Sequence, residues 1–240
     1  MLHHRSIGSG PPILILPGML GTVDTEWSSF LQPIADMGYT VIAADLPGHG
    51  QSEMPKALTL RVIGDEIDKL LEAIKAEPIV MLGYSLGGYA ALSWALKHPN
   101  RVVGVWMHAT KFYWSGEEAE NLGAELDLAY LEENAPERLQ KLRELHGEEK
   151  LDAILPWLNK MVTSLPDMGL TRMDLEDAKF PVMVSAGDHD ELVPVNEVVD
   201  LYRALPRGQL CVLPDTNHPL ASVRDHVFLP IFRDFLNRLD

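Results

Sequence analysis

The stretch Ile79-Val80-Met81-Leu82-Gly83-Tyr84-Ser85-Leu86-Gly87 decides how the rest of the chain is read. Its first four residues are apolar without alternation, as expected of a parallel strand covered on both faces. Leu86, Ala90 and Trp94 then begin a helical spacing. Ser85 stands between the two, with glycine two positions away on each side. A side chain held on so sharp a strand-to-helix turn needs such neighbours, because the backbone is strained and other segments pass close to it. The helix N-terminus adds partial positive charge beside the serine, where a developing oxyanion would be stabilised. The pattern predicts that Ser85 is a nucleophile.

Outward from this turn, short β-branched and aliphatic runs recur at Ile13–Leu16, Thr40–Ala44, Val102–Met107, Val182–Ala186 and Gln209–Leu213. Each is followed by turn residues and most by a helical period, the grammar of βαβ units. Leu60, Ile63, Ile67, Leu70, Leu71 and Ile74 mark one amphipathic helix. Ile231, Phe235 and Leu239 mark a last one, with Pro230 suited to its first turn. The fold class is therefore α/β: a mostly parallel central sheet with helices on both faces. Between residues 115 and 179 the strands stop. Only helical patterns remain there, Glu117–Glu132, Glu137–Leu145 and Glu149–Met161, separated by Pro136, Gly147 and a turn at Pro166–Gly169. This predicts a helical lid inserted between two late strands, with the core formed by residues 1–114 and 180–240.

A serine hydroxyl needs a neighbouring base near neutral pH, and the base needs an orienting carboxylate. In the chain order Ser, acid, His, two loops qualify. One is Gly187-Asp188-His189-Asp190-Glu191-Leu192-Val193-Pro194, after Val182–Ala186. The other is Pro214-Asp215-Thr216-Asn217-His218-Pro219, after Gln209–Leu213. Both leave the sheet at the carboxyl edge that bears Ser85, where α/β folds place their sites. His218 is the expected base, with His189 its rival and Asp188 or Asp190 as the acid. His3, His4, His98, His146 and His226 lie in ordinary strand or helix patterns and are expected to be structural, while His49 and His108 lie nearer the site edge. Asp188, His189, Asp190 and His218 match no short metal-binding spacing, so no metal is expected.

Composition narrows the partners. With 35 acidic and 20 basic residues the formal charge is −15, which repels phosphate backbones and anionic lipid, so nucleic acid is not an expected partner. No apolar run approaches the roughly 18 residues of a membrane span, so no membrane insertion is expected. The single cysteine, Cys211, permits no internal disulfide; it reads as a small buried strand residue of a protein in a reducing, cytoplasmic setting. The patterns do not specify an oligomeric state.

Taken together, these residues resemble the α/β-hydrolase superfamily, and within it the lidded esterase, lactonase and carbon–carbon hydrolase branch. The resemblance spans nearly the whole chain. It rests on Leu16-Pro17-Gly18-Met19, Asp45-Leu46-Pro47-Gly48-His49-Gly50-Gln51-Ser52, the Gly83–Gly88 turn, Gly187-x-x-Asp190-x-x-x-Pro194 and His218. Its frame places the acid four residues before the proline, at Asp190, leaving Asp188 to bind local backbone. It also implies an oxyanion hole from the backbone N–H groups of Met19 and Leu86. Pro17 stands where relatives usually carry histidine, and Asn217 where many have glycine. The short N-terminus reduces the leading antiparallel hairpin to one strand around Leu2–Ile7. Serine at position 85 separates the chain from the dehalogenases and epoxide hydrolases of this fold, which use aspartate there.

The implied function is hydrolysis of a small-molecule ester through an acyl-enzyme, with no cofactor. A lactone, thioester or carbon–carbon substrate, or ligand binding without catalysis, is the alternative. Tyr84, Phe112, Trp114, Trp157 and Met161 are the candidate pocket residues, where the lid would begin or cover the site. No lysine or arginine cluster near the motifs suggests a carboxylate-bearing substrate.

Overall fold

A computed structural model describes residues 1–239. Seven strands form one sheet: β1 (His4–Gly8), β2 (Pro12–Leu16), β3 (Thr40–Ala44), β4 (Ile79–Tyr84), β5 (Val102–His108), β6 (Val182–Gly187) and β7 (Gly208–Leu213), in the spatial order β1-β3-β2-β4-β5-β6-β7. Only β1 runs antiparallel, with Ser6 opposite Ile42. The N-terminal segment thus supplies a single strand, as expected. The remaining pairs are parallel, and their register sets Leu16 beside Gly83, Tyr84 beside His108 and Gly187 beside Leu213. The loops after β2, β4, β5, β6 and β7 therefore leave one edge side by side.

The continuous apolar runs still divide by the period of two. Leu14, Leu16, Ile79 and Met81 enter one core. Ile13, Ile15, Val80 and Leu82 enter the other, on the opposite face. The second core is closed by α1 (Ser28–Ala35) and α10 (Asp225–Asn237), where Trp27, Trp106, Phe228, Phe232 and Phe235 are almost wholly buried and pack ring against ring. The first core is covered by α2 (Leu60–Ile74), α3 (Leu86–Lys97) and α9 (Val195–Ala204). Thr59 caps α2, its side chain accepting the Val62 N–H. α3 is buried on almost every side, which explains the weak polarity of its sequence.

Between β5 and β6 the chain makes α4 (Gly116–Ala124), α5 (Leu128–Asn134), α6 (Pro136–His146), α7 (Glu148–Met168) and α8 (Arg172–Leu175). Their apolar residues, among them Leu131, Leu151, Ile154 and Leu158, join the first core. Three expectations are corrected here. The predicted helix Glu117–Glu132 is two helices, because the Asp127 side chain caps a new start by accepting the Tyr130 N–H. α7 does not stop before Pro166 but continues to Met168. An interior proline costs about 3 kcal/mol, but α7 buries seven apolar side chains at about 1.5–3 kcal/mol each, and Pro156 and Pro166 both lie on its exposed side. Finally, Pro230 is not in the first turn of α10, which begins at Asp225 so that Phe228 can join the aromatic core.

β7 also departs from expectation. It is an edge strand, with β6 on one side only, so Leu210 and Val212 are each 37% exposed and Cys211 is half-buried, not buried.

Candidate active site

Ser85 sits at the end of β4 and caps α3 with φ +50° and ψ −118°, a conformation that a non-glycine residue adopts only when its surroundings force it. Those surroundings are specific. The Ser85 N–H donates to His108 O at 2.9 Å, and Thr110 Oγ1 donates to Ser85 O at 3.1 Å. A Cβ on Gly83 would run into the backbone of Gly87 and Gly88, and one on Gly87 would strike the carbonyls of Leu16 and Pro17. Both glycines are required by close approach.

Asp190 and His218 come together across the loops after β6 and β7. His218 Nδ1 lies 3.1 and 3.0 Å from the two carboxylate oxygens of Asp190, whose side chain is fully buried. Asp190 Oδ1 also accepts the N–H groups of Leu192 (3.0 Å) and Val193 (2.8 Å), which hold the carboxylate oriented. Asp188 takes the other role, accepting the Thr216 N–H at 3.1 Å; that bond first, and burial against it, leave its carboxyl below the ordinary value. The rival His189 is exposed. Tyr84 Oη donates to His218 O at 3.0 Å and fixes the histidine loop against β4.

Ser85 and His218 line one cavity with a volume of about 280 Å³, together with Met19, Leu86, Tyr84, Trp114 and Met161. No hydrogen bond joins the serine and histidine side chains. The Leu86 N–H is at the first position of α3, among those a helix leaves unpaired. Met19 follows β2 beside it. Two candidate pocket residues are not in the wall. Phe112 is buried behind Tyr89, ring centroids 6.1 Å apart, and Tyr89 lines the cavity in its place. Trp157 is half-buried against the first core, one turn before Met161 on α7.

Several wall residues are not among the pocket candidates read from the sequence. Leu60, Leu122, Val162, Leu165 and Leu192 make the wall largely apolar. Lys111 and Arg138, which lie away from the motifs in sequence, also reach it, but each is already paired. Lys111 Nζ lies 2.8 Å from Glu118 and 2.9 Å from Glu197, and Arg138 lies 4.0 Å from Glu125. Glu26 reaches the wall from the segment after β2, and its Oε2 accepts the Gly18 N–H at 2.7 Å.

His49 and His108 are buried and do not line the cavity, and burial holds both at about 4, well below the usual histidine value. His146 is structural, as expected, but in an unforeseen place. From α6 its Nδ1 accepts the Gly50 N–H at 3.0 Å and its Nε2 donates to Leu20 O at 3.1 Å, tying the inserted helices to two loops of the site edge. Among the described residues, no group of three or more His, Cys, Asp or Glu is placed to hold a metal ion, and no helix is long and apolar enough to cross a membrane.

A mostly parallel sheet with a strained serine turn at its carboxyl edge is the architecture that the resemblance implied, and comparison with known proteins gives the family. Residues 11–172 match the family model of the alpha/beta hydrolase fold, so the chain belongs to the α/β-hydrolase family. It is similar to the serine hydrolase BPHL of Mus musculus, 27% identical over 244 residues that cover 98% of this chain and 82% of that protein. It is also similar to the pimeloyl-[acyl-carrier protein] methyl ester esterase of Vibrio campbellii, 30% identical with 98% of both chains covered. Among solved structures, a thermophilic esterase from Thermogutta terrifontis superposes with a TM-score of 0.82 at 22% identity, covering 99% of this chain and 93% of the other.

Proposed function

We propose that this protein is a serine hydrolase that cleaves small carboxylic esters through an acyl-enzyme. The observation that supports it most is the convergence of three loops: Ser85 on its strained turn shares a cavity with His218, whose Nδ1 is held by a buried Asp190. With Nδ1–H donated to Asp190, Nε2 is the free acceptor. The Ser85 hydroxyl turns toward it, loses its proton to it and attacks the ester carbonyl. The Met19 and Leu86 N–H groups receive the oxyanion. His218 returns the proton to the leaving alcohol, and water repeats the sequence on the acyl-enzyme. Kinship with a protein named as a methyl ester esterase favours an ester.

The inserted helices act in this scheme as a lid. Trp114, Leu122, Met161, Val162 and Leu165, at its start or on α4 and α7, give the acyl or alcohol group an apolar wall. The direct test combines a fluorophosphonate probe with p-nitrophenyl esters from acetate to palmitate, beside lactones and thioesters. The wild type should be labelled, and Ser85→Ala should fold normally, escape the label and lose about 10³-fold or more in kcat. Near wild-type turnover by Ser85→Ala would sink the mechanism.

A further inference from the structure

Every charged side chain in the cavity wall has an opposite charge beside it except one. Lys111 has Glu118 and Glu197, and Arg138 and Glu125 have each other. Glu26 has no cation within ion-pair distance among the described residues. Its Oε2 accepts the Gly18 N–H, while its Oε1 accepts no hydrogen bond from the described residues. The carboxyl group lies against Gly21, where a Cβ would collide with it. Gly18, whose N–H it holds, is next to the reacting centre: a Cβ there would stand 3.3 Å from Ser85 Cβ, and Glu26 and Ser85 line the same cavity.

A carboxylate is an expensive group for holding a loop. A neutral amide would accept the Gly18 N–H equally well without a buried charge. The ionised form is also badly placed for a neutral ester, because it sets a negative charge near the position where the oxyanion forms. Its ionisable neighbours do not relieve it: Asp45 is another acid, Tyr84 is a hydroxyl pushed further from ionisation by burial, and His218 is held by Asp190. A cation brought by the substrate would relieve both costs.

We propose that Glu26 is a specificity residue that binds a protonated amine carried by the substrate within a few bonds of the scissile ester. This rests on Ser85 being the nucleophile. The amine gains a charge-assisted hydrogen bond to Oε1, and its charge offsets that of Glu26 as the oxyanion develops. Carboxylate-bearing substrates are disfavoured by the same group.

Two isosteric pairs distinguish which side of the ester carries the amine. On the acyl side, the p-nitrophenyl ester of β-alanine is compared with p-nitrophenyl butyrate. On the alcohol side, 2-(dimethylamino)ethyl butyrate is compared with 3-methylbutyl butyrate. In one pair the wild type should favour the ammonium member by about tenfold or more in kcat/KM. Glu26→Gln, which keeps the shape and an acceptor for Gly18, should abolish that preference while leaving the neutral ester equal or faster. Burial, countered by the Gly18 N–H, raises the Glu26 carboxyl to about 7. The wild-type rate on the neutral ester should therefore decline as pH rises through that value, and that of Glu26→Gln should not. A readout without turnover is calorimetry of Ser85→Ala with n-butylammonium chloride, which should show saturable binding that Ser85→Ala/Glu26→Gln lacks. Neutral-ester turnover with no amine preference and no amine binding would overturn the inference and leave the esterase reading standing. Amine binding that depends on Glu26 in a protein that cleaves no ester would overturn the esterase reading and, with it, the inference that the amine is carried by an ester substrate.

Discussion

Stability should fall as the solution is acidified, and Glu26 should mask part of the fall. His49 and His108 each direct Nδ1 to an oxygen, Pro47 O and Ser185 Oγ, both at 3.0 Å, and each leaves Nε2 buried without a partner. A second proton would create a buried N–H that nothing accepts, so burial lowers both from 6.5 to about 4. Such a histidine takes up its proton only on unfolding. Its contribution to stability is complete above 6.5 and is lost as pH falls toward 4. By about pH 4.5 the loss is about 2.5 kcal/mol each, or about 5 kcal/mol together. Glu26 has the opposite sign. Its carboxyl, raised by burial from 4.5 to about 7, binds its proton more readily in the folded state. It therefore costs nothing well below 4.5 and about 3 kcal/mol at neutral pH. Between neutrality and about pH 4.5 these three groups together should thus remove only about 2–3 kcal/mol from the wild type, and His146, also lowered by burial, adds to the loss in both proteins. Glu26→Gln should be more stable than wild type at pH 7 by up to about 3 kcal/mol and should lose about 5 kcal/mol over the same range. Urea unfolding followed by tryptophan fluorescence at four pH values measures both curves. Equal stability of the two proteins at pH 7 with parallel slopes would refute the burial of an unpaired charge at Glu26. A Glu26→Gln curve that stays flat into acid would refute the neutral histidines.

Asp190→Asn should keep the fold and lose about 10²- to 10⁴-fold in kcat, whereas Asp188→Asn, whose carboxylate serves the Thr216 N–H, should act mainly on the melting temperature; the reverse result would reassign the acid. Gly83→Ala must push against the Gly87 and Gly88 backbone and should cost about 1–3 kcal/mol together with most of the fluorophosphonate labelling, so a labelled variant of normal stability would show that the turn does not need that glycine. Replacing residues 115–179 by a short loop should change chain-length preference more than turnover of an acetate ester, and a folded protein inert toward every small ester would mean that the inserted helices supply a reacting group.

Much of this architecture is legible along the chain because it is written in local periods. Six parallel strands stand within two residues of their apolar runs, and the order of the strained serine, the acid and the histidine can be read from the residues that follow those runs. Glycines at 83 and 87 announce the turn because only close approach requires them there. Proline misleads at 166 and 230, since a turn propensity worth a few kcal/mol yields to the burial of Met161, Val162 and Leu165 in one helix and Phe228 in the other.

What the sequence alone determined was the strands, most of the helical segments, and Ser85, His218 and the Asp188/Asp190 loop as candidates for one site, because each of these depends on residues a few positions apart; the choice of Asp190 came from the family resemblance. Only the tertiary structure decided that, among the described residues, β7 has an unpaired edge and Glu26 reaches the cavity without a counter-ion, that Phe112 lies behind Tyr89, and that Lys111 and Arg138 reach the cavity already paired. Those facts turn on which side chains from distant segments share a space and a dielectric, and no period in a linear chain reports the charge of a neighbour that arrives from another loop.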